Sequence, residues 1–110
     1  MTEEIFPGWY SFIKKNYGEI IGALEHLGET ARQAGPLDVK TSHLVQLAAA
    51  AAIRSEGAVH SHVRRALQAG ARPEEIYHAI ILLTSTIGFP NTSAALSWVY
   101  DVMGAEAEFL

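Results

Sequence analysis

Five consecutive alanines, Ala48 to Ala52, stand near the middle of this chain, and no segment alternates apolar and polar residues for long. Alanine has the highest helix propensity, whereas a half-buried strand needs a period of two, so the chain reads as helical throughout. Glycine and proline set the boundaries. A short aromatic piece, Trp9 to Asn16, follows Pro7-Gly8, and Tyr17 to Ala34 then places Tyr17, Ile20, Ile21, Leu24, Leu27 and Ala31 on one helical stripe. Gly35-Pro36 ends that helix, and Asp38 is placed to cap the next one, which runs through the alanines to about Arg54. A helix over 57–69 carries Val59, Val63, Ala66 and Leu67 on its apolar face, with Gly70 suited to the left-handed residue after it. Pro73-Glu74-Glu75 opens a helix that is apolar almost all round over 76–87. Gly88-Phe89-Pro90 breaks it, and Asn91 or Thr92 can cap a last helix whose apolar residues are Leu96, Trp98, Val99, Val102 and Met103. Gly104 to Leu110 is expected to fray. The expectation is one domain over 1–110, an all-α compact bundle of five to six helices.

Composition narrows function mainly by exclusion. With no cysteine there is no disulfide, thiolate nucleophile, iron–sulfur cluster or Cys-ligated zinc. Eight Lys and Arg against twelve Asp and Glu give a net charge of −4, so no basic footprint for nucleic acid exists. The longest apolar run, Leu47 to Ile53, is far short of the ~20 residues that cross a bilayer. The opening Met1-Thr2-Glu3-Glu4 is acidic, unlike a signal peptide, and the expected location is the cytoplasm, with no membrane partner. An apolar fraction of 49% in so small a chain exceeds what one core absorbs, and points to burial between subunits.

Histidines 26, 43, 60, 62 and 78 are the main candidates for chemistry. His62 shares its stripe with Val59, Val63 and Ala66, and His43 lies four residues before Leu47, so both border the inward faces of neighbouring helices. Imidazole there can move a proton, hold a carboxylate when charged, or bind a metal when neutral. A core histidine satisfied by a backbone carbonyl fits the same pattern. His60 and His62 are two apart, roughly 200° round a helix, and are poorly placed for one ion; His60 instead pairs along the surface with Glu56 and Arg64. Arg65 or Arg64 can grip a substrate carboxylate, unless both are taken by acids such as Glu74 or Glu75. Ser55 is two turns before His62, about 10 Å along the axis, too far for activation unless the chain breaks at Gly57. No metal ligand set and no cofactor are assigned.

The order of these segments carries a resemblance. Lys40-Thr41-Ser42-His43-Leu44, the alanine-rich helix, the stretch from Ser55 to Ala71 containing His62-Val63-Arg64-Arg65-Ala66-Leu67-Gln68-Ala69-Gly70-Ala71, Pro73-Glu74-Glu75-Ile76 and Gly88-Phe89-Pro90 follow in register. Over about residues 20–103 they resemble the carboxymuconolactone decarboxylase family, which includes the alkylhydroperoxidase-D-like proteins. Its redox branch carries Cys-x-x-Cys-x-x-x-His with a Glu twelve residues before the first Cys. Here those positions hold Ser55, Ala58, His62 and His43. Peroxide reduction needs one thiolate to attack and a second thiol to resolve, so thiol peroxidase activity is excluded.

The decarboxylase branch also lacks the Cys pair and keeps a histidine at position 62, though it typically has Glu where this chain has Ala58. The resemblance thus implies a cofactor-free lyase or isomerase acting on a small carboxylate or lactone. In it His62 is the acid/base, His43 its partner or an electrostatic stabiliser, and Arg65 the carboxylate anchor. It also implies a homo-oligomer, a trimer or a hexamer. A non-catalytic oligomeric scaffold and a His43–His62 divalent-metal protein stand beside that reading.

Overall fold

The structure is a computed structural model that describes residues 8–104; the expected fraying of 105–110 lies outside the described residues. The described residues form helices and no strands, in two units that divide between Leu37 and Asp38. The all-α expectation holds.

The first unit contains α1 (Gly8–Asn16) and α2 (Gly18–Gln33). Tyr17 interrupts them: its amide donates to the Ile13 carbonyl (2.7 Å), and the chain then turns back so that α2 packs on α1. The Tyr10 hydroxyl donates to Glu25 Oε2 (3.0 Å), and Lys14 Nζ lies 3.3 Å from the same oxygen. Of the stripe expected on α2, Ile21 is buried, whereas Tyr17, Ile20, Leu24 and Leu27 are all more than half exposed. An apolar stripe left in water is a surface that lacks a cover.

The second unit is built round a helical hairpin, α3 (Val39–Ala52) and α4 (Glu56–Gln68), on which α5 (Pro73–Ile81) and α7 (Phe89–Met103) pack; α6 (Thr84–Ile87) is a single turn. Asp38 caps α3 as expected, its carboxylate accepting from the Thr41 amide at 2.7 Å. That backbone hydrogen bond, with a second from the Thr41 side chain, holds the Asp38 carboxyl below its ordinary value. Leu47, Val59, Val63, Ile76, Ile80 and Val99 have no exposed surface, and Ala50, Ala51, Ala66 and Ala95 fill the space between them. Small residues at these positions let helix backbones approach, while each large buried aliphatic side chain contributes about 1.5–3 kcal/mol.

Two helix ends close in the same way. At α4 the Gly70 amide reaches the Leu67 carbonyl (3.0 Å) and the Ala71 amide the Ala66 carbonyl (2.9 Å), with Gly70 at φ 98°. At α3 the Arg54 amide reaches Ala51 (3.1 Å) and the Ser55 amide Ala50 (3.0 Å), with Arg54 at φ 59°. This double bond pattern requires a left-handed residue after the helix, normally glycine. Arginine occupies it here.

The structure corrects two expected boundaries. The helix expected over 73–87 ends at Ile81, because the Thr84 hydroxyl takes the Ile81 carbonyl (2.7 Å) and Leu83 bonds three residues back to Ile80 (3.0 Å). Its all-round apolar character resolves into a buried side, Ile76 and Ile80, and an exposed one, Ile81 and Leu82. The last helix starts at Phe89, before Asn91 and Thr92, since Pro90 fits its first turn; Gly88 precedes it and no side chain caps it. Thr92 is wholly buried.

Candidate functional site

His43, His62 and Arg65, the site residues expected from sequence, all fall in the α3–α4 hairpin. On α3 the buried positions Ser42, His43, Leu47, Ala50 and Ala51 form one stripe, so His43 is carried inward by the same phase that buries Leu47. On α4 the stripe is Val59, Val63 and Ala66, with His62 at its edge and half-buried. Packing these two stripes together brings the histidines into contact. His43 Nδ1 and His62 Nδ1 are 3.2 Å apart, with ring centroids separated by 5.4 Å and planes inclined at 39°.

This contact restricts the protonation states. One ring must carry a proton on Nδ1 while the other presents a lone pair, so the pair holds a charge of zero or +1 while the bond lasts. A second positive charge breaks it. The pair can therefore take up or release one proton without losing its geometry.

Arg65 follows His62 by one turn of α4, about 4.5 Å along the axis and on the adjoining face. Both Arg64 and Arg65 are half-buried, and burial lowers the Arg64 guanidinium from its ordinary value while it stays cationic. The acids expected to pair with them are engaged elsewhere. Glu75 lies 3.2 Å from Lys40 Nζ and accepts from the Arg72 amide (2.9 Å), which lowers its carboxyl, while Glu74 pairs with Arg72 at 2.8 Å. Neither Arg64 nor Arg65 forms an ion pair with a described residue.

Ser55 and Ala58 occupy the N-cap and third position of α4, and the Ser55 hydroxyl accepts from the Ala58 amide at 3.3 Å. The helix runs on unbroken through Gly57, so Ser55 stays two turns from His62 and caps rather than reacts. Ser55 serves both helices, its amide closing α3 and its hydroxyl opening α4. His26 and His78 are exposed. His60 faces away from the pair, towards Glu56 and towards Asp101 on α7. Asp101 is the one residue of this neighbourhood that sequence reasoning missed. It lies far along the chain from His60, and no local spacing connects the two.

Among known families, the model for the Carboxymuconolactone decarboxylase family matches residues 19–101. A curated relative, the uncharacterized protein MJ1511 of Methanocaldococcus jannaschii, is 29% identical over 104 residues, covering 94% of this chain and 97% of its own. No solved structure matches the chain.

Proposed function

The chain belongs to the carboxymuconolactone decarboxylase family, and from that premise we propose that it is a cofactor-free lyase or isomerase acting on a small carboxylate or lactone. The observation that carries this reading is the 3.2 Å contact between His43 and His62, a single-proton pair at the edge of a buried stripe. In a decarboxylation the bond to the carboxylate carbon breaks, CO2 leaves, and its electron pair passes into the conjugated ring. The pair, carrying its one extra proton, then gives that proton to carbon through His62, while the hydrogen bond from His43 fixes the orientation of the His62 ring. Arg65, one turn on and without a carboxylate partner among the described residues, holds the substrate's acid group. The reading excludes thiol peroxidase chemistry, since the chain has no cysteine and Ser55 is a helix cap.

We further propose that the working form is a homo-oligomer, a trimer or a hexamer. Exposed Ile20, Leu24 and Leu27 on α2 support this, as do Ile81 and Leu82 at the end of α5. A monomer mass by light scattering at micromolar concentration would refute it.

The test of the activity is turnover of 4-carboxymuconolactone, followed by loss of ultraviolet absorbance, for the wild type beside His62→Ala. Turnover that disappears in the variant supports the reading. Turnover unchanged in the variant removes His62 from the chemistry, and no turnover by the wild type rejects this substrate.

A further inference from the structure

We propose that Glu56, His60 and Asp101 form a divalent-cation site of the first-row transition-metal class, joining α4 to α7. One ligand atom from each side chain lies within 4.8 Å of the other two, the one such group of three found among the described residues. Glu56 and His60 are one turn apart on α4, with Oε2 and Nε2 separated by 3.8 Å. Asp101 enters from α7, whose position against α4 is set by the buried Val59, Val63 and Val99.

Two independent features ask for a cation here. His60 Nε2 is buried and, among the described residues, has no hydrogen-bond partner, although two carboxylates lie close to its ring. Neither Glu56 nor Asp101 pairs with a lysine or arginine among the described residues, so the two carboxylates beside His60 have no such side chain to offset them. An imidazole nitrogen with two carboxylate oxygens suits zinc, cobalt or manganese, whereas magnesium and calcium prefer oxygen alone. Ligands of such an ion stand roughly 3–3.5 Å from one another, given bonds near 2.1 Å. Glu56 and Asp101 are both exposed, so their side chains can turn inward without moving the backbone. Three protein ligands leave a position for water. The site faces away from the His43–His62 pair and does not rest on the activity proposed above.

The experiment uses the full chain without a histidine tag, stripped with chelator, then titrated with Zn(II) by calorimetry and with Co(II) by visible absorption. Wild type is expected to bind one ion per chain and to melt at a higher temperature once loaded. Asp101→Asn and Glu56→Gln, both at exposed positions, are expected to weaken binding at least tenfold and to lose the thermal shift, while melting like wild type in chelator. His62→Gln is expected to bind as wild type does. Absence of saturable binding by the wild type overturns the proposal. So does full binding by both carboxamide variants, which would place the ion elsewhere. Binding abolished by His62→Gln would assign the ion to the other histidine pair.

Discussion

Arg54 offers a stability experiment in which the sign alone decides. It sits in the left-handed region at φ 59°, closing α3 where glycine is the usual residue. For an L-residue that conformation costs roughly 1–2 kcal/mol, which Gly does not incur. Two contacts offset the cost: a guanidinium nitrogen donates to Asn91 Oδ1, and the guanidinium lies 5.9 Å from the Trp98 ring centre. The hydrogen bond is worth about 0.5–1.5 kcal/mol and the exposed cation–π contact about 0.5–1 kcal/mol. Arg54→Ala keeps the backbone cost and loses both contacts, so it should destabilise by about 1–2.5 kcal/mol. Arg54→Gly loses the same contacts but relieves the backbone, and should fall between about 1 kcal/mol above and about 1.5 kcal/mol below wild type in stability. The glycine variant should therefore melt above the alanine variant by roughly 4–16 °C, at about 4–8 °C per kcal/mol for a domain of this size. Elsewhere in a helix or strand the order runs the other way, because glycine costs 0.5–1 kcal/mol relative to alanine. Urea and thermal melts at one fixed protomer concentration decide it. A glycine variant less stable than the alanine variant would show that the left-handed conformation carries no cost here.

Two further outcomes follow from groups in the same unit. The Thr92 hydroxyl is wholly buried with no hydrogen-bond partner among the described residues, so Thr92→Val, which keeps the shape, should be neutral or stabilise by about 1 kcal/mol; a loss of more than that in a urea melt would mean the hydroxyl is satisfied. Asp38 and Glu75 have carboxyls held below their ordinary values by hydrogen bonds to the Thr41 and Arg72 amides. A depressed carboxyl stabilises the fold above the unfolded value, and that stability is lost as pH falls through the folded one. The melting advantage of wild type over Asp38→Asn should accordingly hold near neutral pH and shrink below about pH 4; a constant difference across that range would mean the charge plays no part.

Much of the local structure was legible because it is written in short-range chemistry. Asp38 before α3, Pro73-Glu74-Glu75 opening α5 and Gly70 after α4 each act within four residues of their own position, and each appears where sequence placed it. The stripes of α3 and α4 were also readable, and with them the inward phase of His43 and His62. Two boundaries were not. Thr84 reads as an ordinary helix residue until its hydroxyl competes for the Ile81 carbonyl, and Pro90 starts α7 ahead of the polar residues that looked like caps.

By itself the sequence determined that the chain is helical, that it has no thiol chemistry, and which face of each central helix turns inward. Periodicity, alanine content and the absence of cysteine are properties of the chain before it folds. Only tertiary packing decided that His43 and His62 meet at 3.2 Å, that Asp101 joins Glu56 and His60, and that Arg54 rests against Asn91 and Trp98. Those contacts span 19 to 45 residues of chain, and helical phase states which way a side chain points without stating what stands opposite it. The facing partner is set by how Leu47, Val59, Val63 and Val99 fit together in the core, a three-dimensional fit that no single helix specifies.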